Sequence, residues 1–251
     1  MAVVGVSGGR ARWPRTSEIE WLSAEELLQR GYERSRVVMI NEAISGLVRN
    51  ARARRTGLRL LPVAWACGAR LLAMEAMGPP GGAPPLPGVL EQPEMAELLV
   101  AARRLGFRLS GYDADGGAVP LPLRTKTKSP AYSNWRDDQQ AVNLANLLRE
   151  MSPDDGMLVW AGNLHHTKIR FMAYQPTGWR FRARTGVDPF VIDQAATVRF
   201  VERRGSSPIL RWAQDELQRR GGEAGFIWRQ GLPRLSPGSD AWLLSLDNRM
   251  E

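Results

Sequence analysis

The 251-residue chain has only one cysteine, Cys67, so no disulfide can form within it. Such a chain is typical of a reducing compartment, and we expect a cytoplasmic location. The sequence also lacks any run of about 18 apolar residues, the length that a membrane-spanning helix needs. Its first ten residues have too short an apolar stretch for a secretory leader. We therefore predict no membrane partner.

Lysine is almost absent, with Lys126, Lys128 and Lys168 as its only occurrences among 34 basic residues. Arginine therefore carries nearly all of the net charge of +8. The arginines are spread along the chain and accompany no known nucleic-acid-binding module. We predict no nucleic-acid partner and expect a small-molecule substrate.

Short β-prone runs alternate with segments of helical periodicity, which is typical of an α/β fold. We predict a mostly parallel sheet, flanked by helices on both faces, with the functional site at the carboxyl ends of the strands. Residues 1–16 are predicted to be a flexible basic arm and 17–251 a single α/β domain. The predicted strands lie at 37–42, 70–75, 107–113, 157–163, 189–193 and 241–245. The predicted helices lie at 17–31, 46–68, 93–105, 134–151 and 208–220, and a capping box at Ser23 gives a later alternative start for the first.

Both histidines of the chain follow the apolar strand at 157–163, in the stretch Gly162-Asn163-Leu164-His165-His166. Histidine is the side chain whose unperturbed pKa lies between pH 5 and 8, and this suits it to acid–base chemistry. Neighbours in extended backbone point to opposite faces, so only one of the two enters a cleft easily. We predict that His165 does, with His166 as the second candidate.

Acidic residues stand at the ends of the other predicted strands, namely Glu42, Glu75 and Asp113. The carboxyl ends of parallel strands meet at one edge of a sheet, so these side chains are expected to share a cleft with His165. Carboxylates beside a histidine perturb its pKa, as general acid–base catalysis requires. The pattern predicts Glu42, Glu75 and His165 as catalytic residues, and the predicted substrate-binding residues are Asp113, Arg136, Asn163 and His166.

Arg136, Gln140 and Asn143 form one polar stripe on the predicted helix 134–151. The stripe has two interpretations, a solvated face or a face turned toward the acidic cleft. In the second, Arg136 pairs with a carboxylate or holds a substrate anion. Glu42, Glu75, Asp113 and His165 are residue types that could hold a metal, but the chain has no metal-ligand spacing of the HExxH or CxxC kind, and we predict no metal. It also has no P-loop and no Gly-x-Ser-x-Gly elbow, which argues against a nucleotide-phosphate enzyme and a serine hydrolase.

The strand ends resemble the superfamily of erythromycin esterases, ChaN-like haem-uptake proteins and TIKI-type proteases. Its pattern is Gly-Glu-x-His or Gly-Glu-x-x-His after the first strand, a Glu after the next, an Arg-Glu pair on a later helix, and Gly-x-x-His or His-Asn-x-His at a last strand. The resemblance covers about residues 35–170. The counterparts here are Asn41-Glu42-Ala43-Ile44, Glu75, Arg136-Asp137 and Gly162-Asn163-Leu164-His165.

This chain departs from that pattern, because Asn41 replaces the glycine and Ile44, or Ser45 in the longer register, replaces the first histidine. The departure leaves three explanations: Glu42 or His165 activates water instead, the activity has changed, or the protein binds without catalysis.

The resemblance implies a metal-independent hydrolase that acts on an ester or amide of a small molecule and has no cofactor. In this reading Glu42 or His165 activates water, Glu75 orients it, and Arg136 and Asn163 hold the substrate. One alternative is a non-catalytic binding protein for haem, with Tyr112, Tyr132 or a histidine as the axial ligand. Another is a divalent-metal-dependent hydrolase.

Overall fold

The computed structural model describes residues 19–42, 51–82, 87–194, 215–228 and 238–245. The predicted basic arm at 1–16 lies outside these ranges, and so do Ile44 and Ser45, the positions that depart from the family pattern. No helix in the described ranges has both the length and the apolar composition needed to cross a bilayer.

The described ranges contain eight strands and six named α-helices, besides a helical segment at 215–219. The strands are β1 (Ile19–Leu22), β2 (Val37–Glu42), β3 (Ala69–Met74), β4 (Arg108–Gly111), β5 (Gly156–Gly162), β6 (Phe190–Asp193), β7 (Glu223–Trp228) and β8 (Ala241–Ser245). The helices are α1 (Ala24–Arg34), α2 (Ala51–Ala66), α3 (Pro87–Leu90), α4 (Pro93–Leu105), α5 (Pro130–Arg149) and α6 (Thr177–Thr185).

The strands form one sheet in the order β1-β7-β8-β6-β2-β5-β3-β4. The six strands from β8 to β4 are parallel, and β7 runs antiparallel to both of its neighbours. The prediction of an α/β fold with a mostly parallel sheet is therefore confirmed. β2 and β5 lie in the middle of the sheet and are buried along their whole length, as the apolar runs at 37–40 and 157–161 predict.

The register of the central strands brings their carboxyl ends together. Glu42 pairs with Gly162, and Met74 pairs with both Trp160 and Gly111. The residues that follow these strands include Glu75 and Asp113, which therefore lie at the same edge as the β5 end.

Alternate side chains of the sheet pack into two separate clusters, because successive residues of a strand point in opposite directions. Val38 and Ile40 belong to a cluster that includes Leu28 of α1, Leu60 of α2 and Leu98 of α4. The neighbouring residues of β2 belong to a second cluster, built with α5 and α6 and containing Val37, Met39, Leu144 and Phe181.

The predicted start of the first helix, at residue 17, is wrong. Residues 19–22 form β1, which pairs with β7, and α1 begins only after Ser23. The Ser23 hydroxyl accepts from the Glu26 N–H, and the Glu26 carboxylate accepts from the Ser23 N–H, which is a complete capping box.

Two elements of the structure, β7 and α6, are not predicted from the sequence. Of the predicted helix 208–220, residues 215–219 are helical and 208–214 lie outside the described ranges.

Candidate acid–base site

Glu75 is the first residue after β3 and begins the short 3₁₀ turn Glu75–Met77. The Gly162 N–H at the end of β5 donates to Glu75 Oε2 at 2.7 Å, and Arg136 Nη2 donates to Glu75 Oε1 at 2.6 Å. The Glu75 side chain is buried, and the hydrogen bonds from the Gly162 N–H and from the Arg136 guanidinium fix the position of its carboxylate.

Arg136 of α5 joins Glu75 to Asp113. Its Nε donates to Asp113 Oδ1 at 2.8 Å, and its Nη2 donates to Asp113 Oδ2 at 2.7 Å, the two-pronged geometry that suits a guanidinium and a carboxylate. Gln140 and Asn143 also donate to Asp113, to Oδ1 and to the carbonyl, each at 2.8 Å. The stripe therefore faces the acidic cluster, which decides between its two interpretations.

His165 lies between two carboxylates. Its Nδ1 is 2.7 Å from Asp137 Oδ1, and its Nε2 is 4.0 Å from Glu75 Oε1. The imidazole is 17% exposed, whereas Asp137 is fully buried. The carboxylate of Asp137 is held in turn by the Thr177 N–H, at 2.8 Å, and by the Tyr174 hydroxyl, at 3.2 Å.

This arrangement raises the pKa of His165 to about 9. Burial alone lowers the pKa of an imidazole, but here the charges of Glu75 and Asp137 outweigh burial. For Glu75, burial raises the pKa, but the charges of His165 and Arg136 outweigh it, and the net effect is a lowered pKa. The two shifts agree, since both favour an imidazolium beside a carboxylate at neutral pH.

Charge balance limits what the site can bind. With His165 protonated, the two cations His165 and Arg136 stand against the three carboxylates Glu75, Asp113 and Asp137, which leaves one net negative charge. An anionic substrate group would be repelled, so the site suits a neutral or cationic one.

The raised pKa of His165 predicts a pH-dependent stability. The pKa lies above the ordinary value of 6.5, so the stabilisation is complete below pH 6.5 and is lost as the pH rises through about 9. We expect the free energy of unfolding of the wild type to fall by up to about 3 kcal/mol across this interval. Urea unfolding between pH 6 and 10 measures it, with His165→Asn as the control. The same fall in that variant would refute the assignment to His165.

α6 positions the backbone that carries His165. The Gly178 N–H donates to the His165 carbonyl at 2.8 Å, and the first turn of α6 packs directly on the following peptide. A Cβ built on Gly178 would lie 2.1 Å from the His166 carbonyl oxygen and 2.8 Å from that of Thr167. No side chain fits there, so this glycine permits the close approach.

We therefore expect Gly178→Ala to lower the free energy of unfolding by about 1–3 kcal/mol, because main chain cannot move aside as a flexible side chain can. Gly116→Ala is the matched control, since a Cβ at Gly116 meets nothing within 4 Å. The urea midpoint of each variant measures the effect. Equal midpoints would show that the backbone contact at Gly178 does not constrain the fold.

Glu42 is buried at the end of β2 and pairs with Arg54 of α2, which donates from Nε to Oε2 at 2.9 Å and from Nη2 to Oε1 at 3.2 Å. Arg54 also donates to Gln92. Burial raises the pKa of Glu42, and Arg54 only partly opposes this. Of the three predicted catalytic residues, the structure brings Glu75 and His165 together, whereas Glu42 is engaged by an arginine of its own.

Asn163 and His166, both predicted to bind substrate, occupy different settings. Asn163 has a left-handed backbone, with φ of 46°, and its N–H donates to the Glu42 carbonyl at 2.7 Å. Its carbonyl accepts from Asn41 Nδ2 at 2.6 Å, so its main chain ties the end of β5 to β2. His166 is 1% exposed and lies in the interior, in contrast to His165.

The sequence analysis did not assign a role to Asp137, Tyr174, Thr177 or Arg54. Asp137 entered it only as the counterpart of a family glutamate, beside Arg136. Tyr174 lies in a tight turn in which Phe171 and Tyr174 exchange two backbone hydrogen bonds, and no local pattern signals that it reaches His165.

No group of three His, Cys, Asp or Glu side chains within the described ranges has a geometry that would hold a metal ion. Tyr112, one of the tyrosines considered for haem, is buried, and its hydroxyl donates to the Trp160 carbonyl at 3.3 Å.

Comparison with protein-family models and with curated proteins finds no match. Among solved structures, the chain is similar to RRSP, a MARTX toxin effector domain from Vibrio vulnificus CMCP6, with 14% identity and a TM-score of 0.48 over 69% of this chain and 36% of that one. It is similar to the type III effector HopBA1, with 16% identity and a TM-score of 0.49 over 95% of this chain and 98% of that one. A structure titled "Bacterial protein toxins" has 13% identity and a TM-score of 0.49 over 70% of this chain. The chain spans 37% of that structure's length.

These comparisons overturn the family assignment. The similar structures are bacterial toxin effector domains, and neither family models nor curated proteins connect the chain with erythromycin esterases, ChaN-like proteins or TIKI-type proteases. The assignment to that superfamily is wrong, and so is the prediction of an esterase-like small-molecule hydrolase. The haem-binding and metal-dependent alternatives gain no better support. Likenesses this weak assign no activity to this chain.

Proposed function

We propose that the protein is an acid–base enzyme in which the His165 imidazolium gives a proton and the Glu75 carboxylate takes one. The observation that carries this is the 4.0 Å separation of His165 Nε2 and Glu75 Oε1, with each group held from behind by other residues. A pair at this spacing can reach two neighbouring atoms of one substrate. Glu75 accepts the proton of the attacking group, and His165 protonates the group that leaves.

Asp137 and Arg136 act as positioning residues in this proposal. Asp137 holds His165 Nδ1 and leaves Nε2 to face the substrate. Arg136 fixes Glu75 and keeps its carboxylate charged, since a lowered pKa favours the form that accepts a proton. The net negative charge of the cluster favours a substrate with a neutral or cationic reacting group.

The proposal also includes a site at the carboxyl ends of the parallel strands, with helices covering both faces of the sheet. It includes catalysis by the chain's own residues without a resident cofactor, a small-molecule substrate and a cytoplasmic location. Two observations support the placement of the site and of the helices. Helices contribute to a core cluster on each face of the sheet, and Glu75 and Asp113 lie at the same edge as the end of β5.

Mass spectrometry of a bacterial extract before and after incubation with the protein tests the proposal. We expect products that form with the wild type and fail to form with Glu75→Gln, a nearly isosteric change that removes the base. Glu97→Gln is the matched control, because Glu97 is an exposed residue of α4. Identical products from the wild type and Glu75→Gln would refute the proposal, and so would the absence of any product from the wild type.

A further inference from the structure

A cavity of about 1030 Å³, which we name the β4 groove, lies apart from the acid–base pair. Its walls are residues 108–110 of β4, the loops 79–82 and 114–117, and one side of α5. The volume is at the upper end of the range for ligand sites, which is about 300–1,000 Å³. Nothing in the acid–base mechanism uses this groove.

The groove runs along β4, the outermost strand on this side of the described sheet. β4 is the last strand in the sheet order, and among the described strands it pairs with β3 alone. Successive side chains of a strand point to opposite faces, so a cavity over one face would contact only alternate residues. The β4 groove instead contacts three consecutive residues, Arg108, Leu109 and Ser110. It therefore follows the backbone edge, where alternate N–H and C=O groups point away from β3.

The opposite wall comes from α5. The lining residues recur every three or four positions, with Asn146 and Leu147 adjacent, which places them on one helical face: Gln139, Asn143, Asn146, Leu147 and Glu150. Three of them are amides, and an amide side chain both donates and accepts hydrogen bonds, as a peptide group does. Asn143 Nδ2 already donates to the Tyr112 and Asp113 carbonyls, and Asn146 Oδ1 accepts from Arg149, so Asn143 Oδ1 and Asn146 Nδ2 are the groups of these two amides that can contact a ligand. Within the described ranges, the Gln139 side chain makes no hydrogen bond and remains available to a ligand.

The charged side chains that line the β4 groove indicate which kind of ligand it could bind. The groove contains one cation, Arg108, and two carboxylates, Asp115 and Glu150, and Arg108 pairs with Glu150 at 3.4 Å. Such a balance disfavours nucleic acid, phosphate and other polyanions. A polypeptide main chain is uncharged and carries the donors and acceptors that a strand edge matches.

We propose that the β4 groove binds an extended segment of a partner protein, which adds as a further strand outside β4. Main-chain hydrogen bonds to β4 supply affinity, and the amides of α5 contact the other side of the segment, as in other cases of strand addition at a sheet edge. Neither His165 nor Glu75 lines the groove.

Two substitutions block the groove from opposite walls. Gly116→Trp adds a ring at a position where a Cβ meets nothing within 4 Å. Asn146→Trp adds a ring on α5, and we expect the fold to tolerate it because Asn146 is exposed. Gly88→Trp is the matched control, because a Cβ at Gly88 likewise meets nothing and Gly88 lies outside the groove.

A library of random 12-residue peptides displayed on phage is selected against the full chain, and a selected synthetic peptide is titrated into each variant. We expect the wild type and Gly88→Trp to bind equally and both blocking variants to bind at least about tenfold more weakly. The bound peptide should slow hydrogen exchange of the amides at 108–111. Equal binding by all variants, or no selected peptide, would overturn the proposal. Concentration-dependent dimers that both blocking variants abolish would overturn it in favour of a second copy of this chain.

Discussion

Replacement of Arg136 by methionine is expected to lower the free energy of unfolding by about 3–5 kcal/mol at neutral pH. Methionine keeps much of the side-chain volume but removes the only cation that pairs with both Glu75 and Asp113 in the described structure. Both carboxylates are buried, and each would lose the cation that pairs with it directly. Asp113 would keep only neutral donors such as Gln140, and the nearest remaining cation of Glu75 would be His165, at 4.0 Å. Protonation relieves that cost, and the loss should therefore shrink as the pH falls. Urea unfolding at pH 7 and pH 4 measures both effects.

Arg108→Met is the matched control for this prediction. Arg108 pairs with Glu150, but the two side chains are 49% and 61% exposed, and solvent screens such a pair. We expect a change of no more than about 1 kcal/mol. If Arg136→Met cost no more than this control, Arg136 would not be the residue that makes the buried carboxylates tolerable.

His165→Asn is expected to lower kcat/KM about 10²–10⁴-fold in the reaction that the wild type catalyses. Asparagine preserves a polar group near Asp137 but has no proton to give at neutral pH. The wild-type pH profile should fall above about pH 9, where His165 loses its proton. It should also fall in acid, below the ordinary glutamate value of 4.5, where Glu75 gains one. Steady-state kinetics on the products found by mass spectrometry give both results.

The variant should lose the alkaline limb of that profile along with its rate, which a purely structural defect would not cause. Glu97→Gln should retain the wild-type rate and profile. Full activity of His165→Asn, or an unchanged alkaline limb, would exclude His165 as the proton donor.

The residues at the strand ends could be predicted from the sequence for a simple physical reason. The ends of buried β-prone runs can be recognised locally, and a parallel sheet delivers such ends to one edge whatever the details of packing. Glu75, Asp113 and His165 follow that rule, and Arg136 links two of them. The strand register then supplies what a local pattern cannot, namely which end lies beside which.

Other parts of the site depend on where helices pack. The sequence assigns no role to Arg54 and leaves two interpretations of Arg136, and only the placement of α2 and α5 turns the two side chains toward Glu42 and Glu75. Asp137 is held by the Thr177 N–H at the start of α6, a helix that no local sequence pattern predicts. The local sequence at 19–22 predicts a helix, and the strand forms because β1 pairs with β7, about 200 residues away in the chain.

The superfamily assignment was wrong because it was built on motifs of two to four residues. A glutamate or histidine at a strand end is common in parallel α/β sheets, where turn chemistry alone favours polar residues. Such a pattern identifies a location where chemistry is possible. It does not identify the reaction.

The measurement that tests the central claim most directly is the titration of the His165 imidazole by NMR. The chain has only two histidines, so His166→Asn assigns the signals without ambiguity. We predict a midpoint at about pH 9 in the wild type and a lower midpoint in Asp137→Asn, which removes one of the two charges that stabilise the imidazolium. Glu97→Gln should leave the midpoint unchanged. A wild-type midpoint at or below 6.5 would contradict the account, because His165 would then be neutral at physiological pH and unable to serve as the acid.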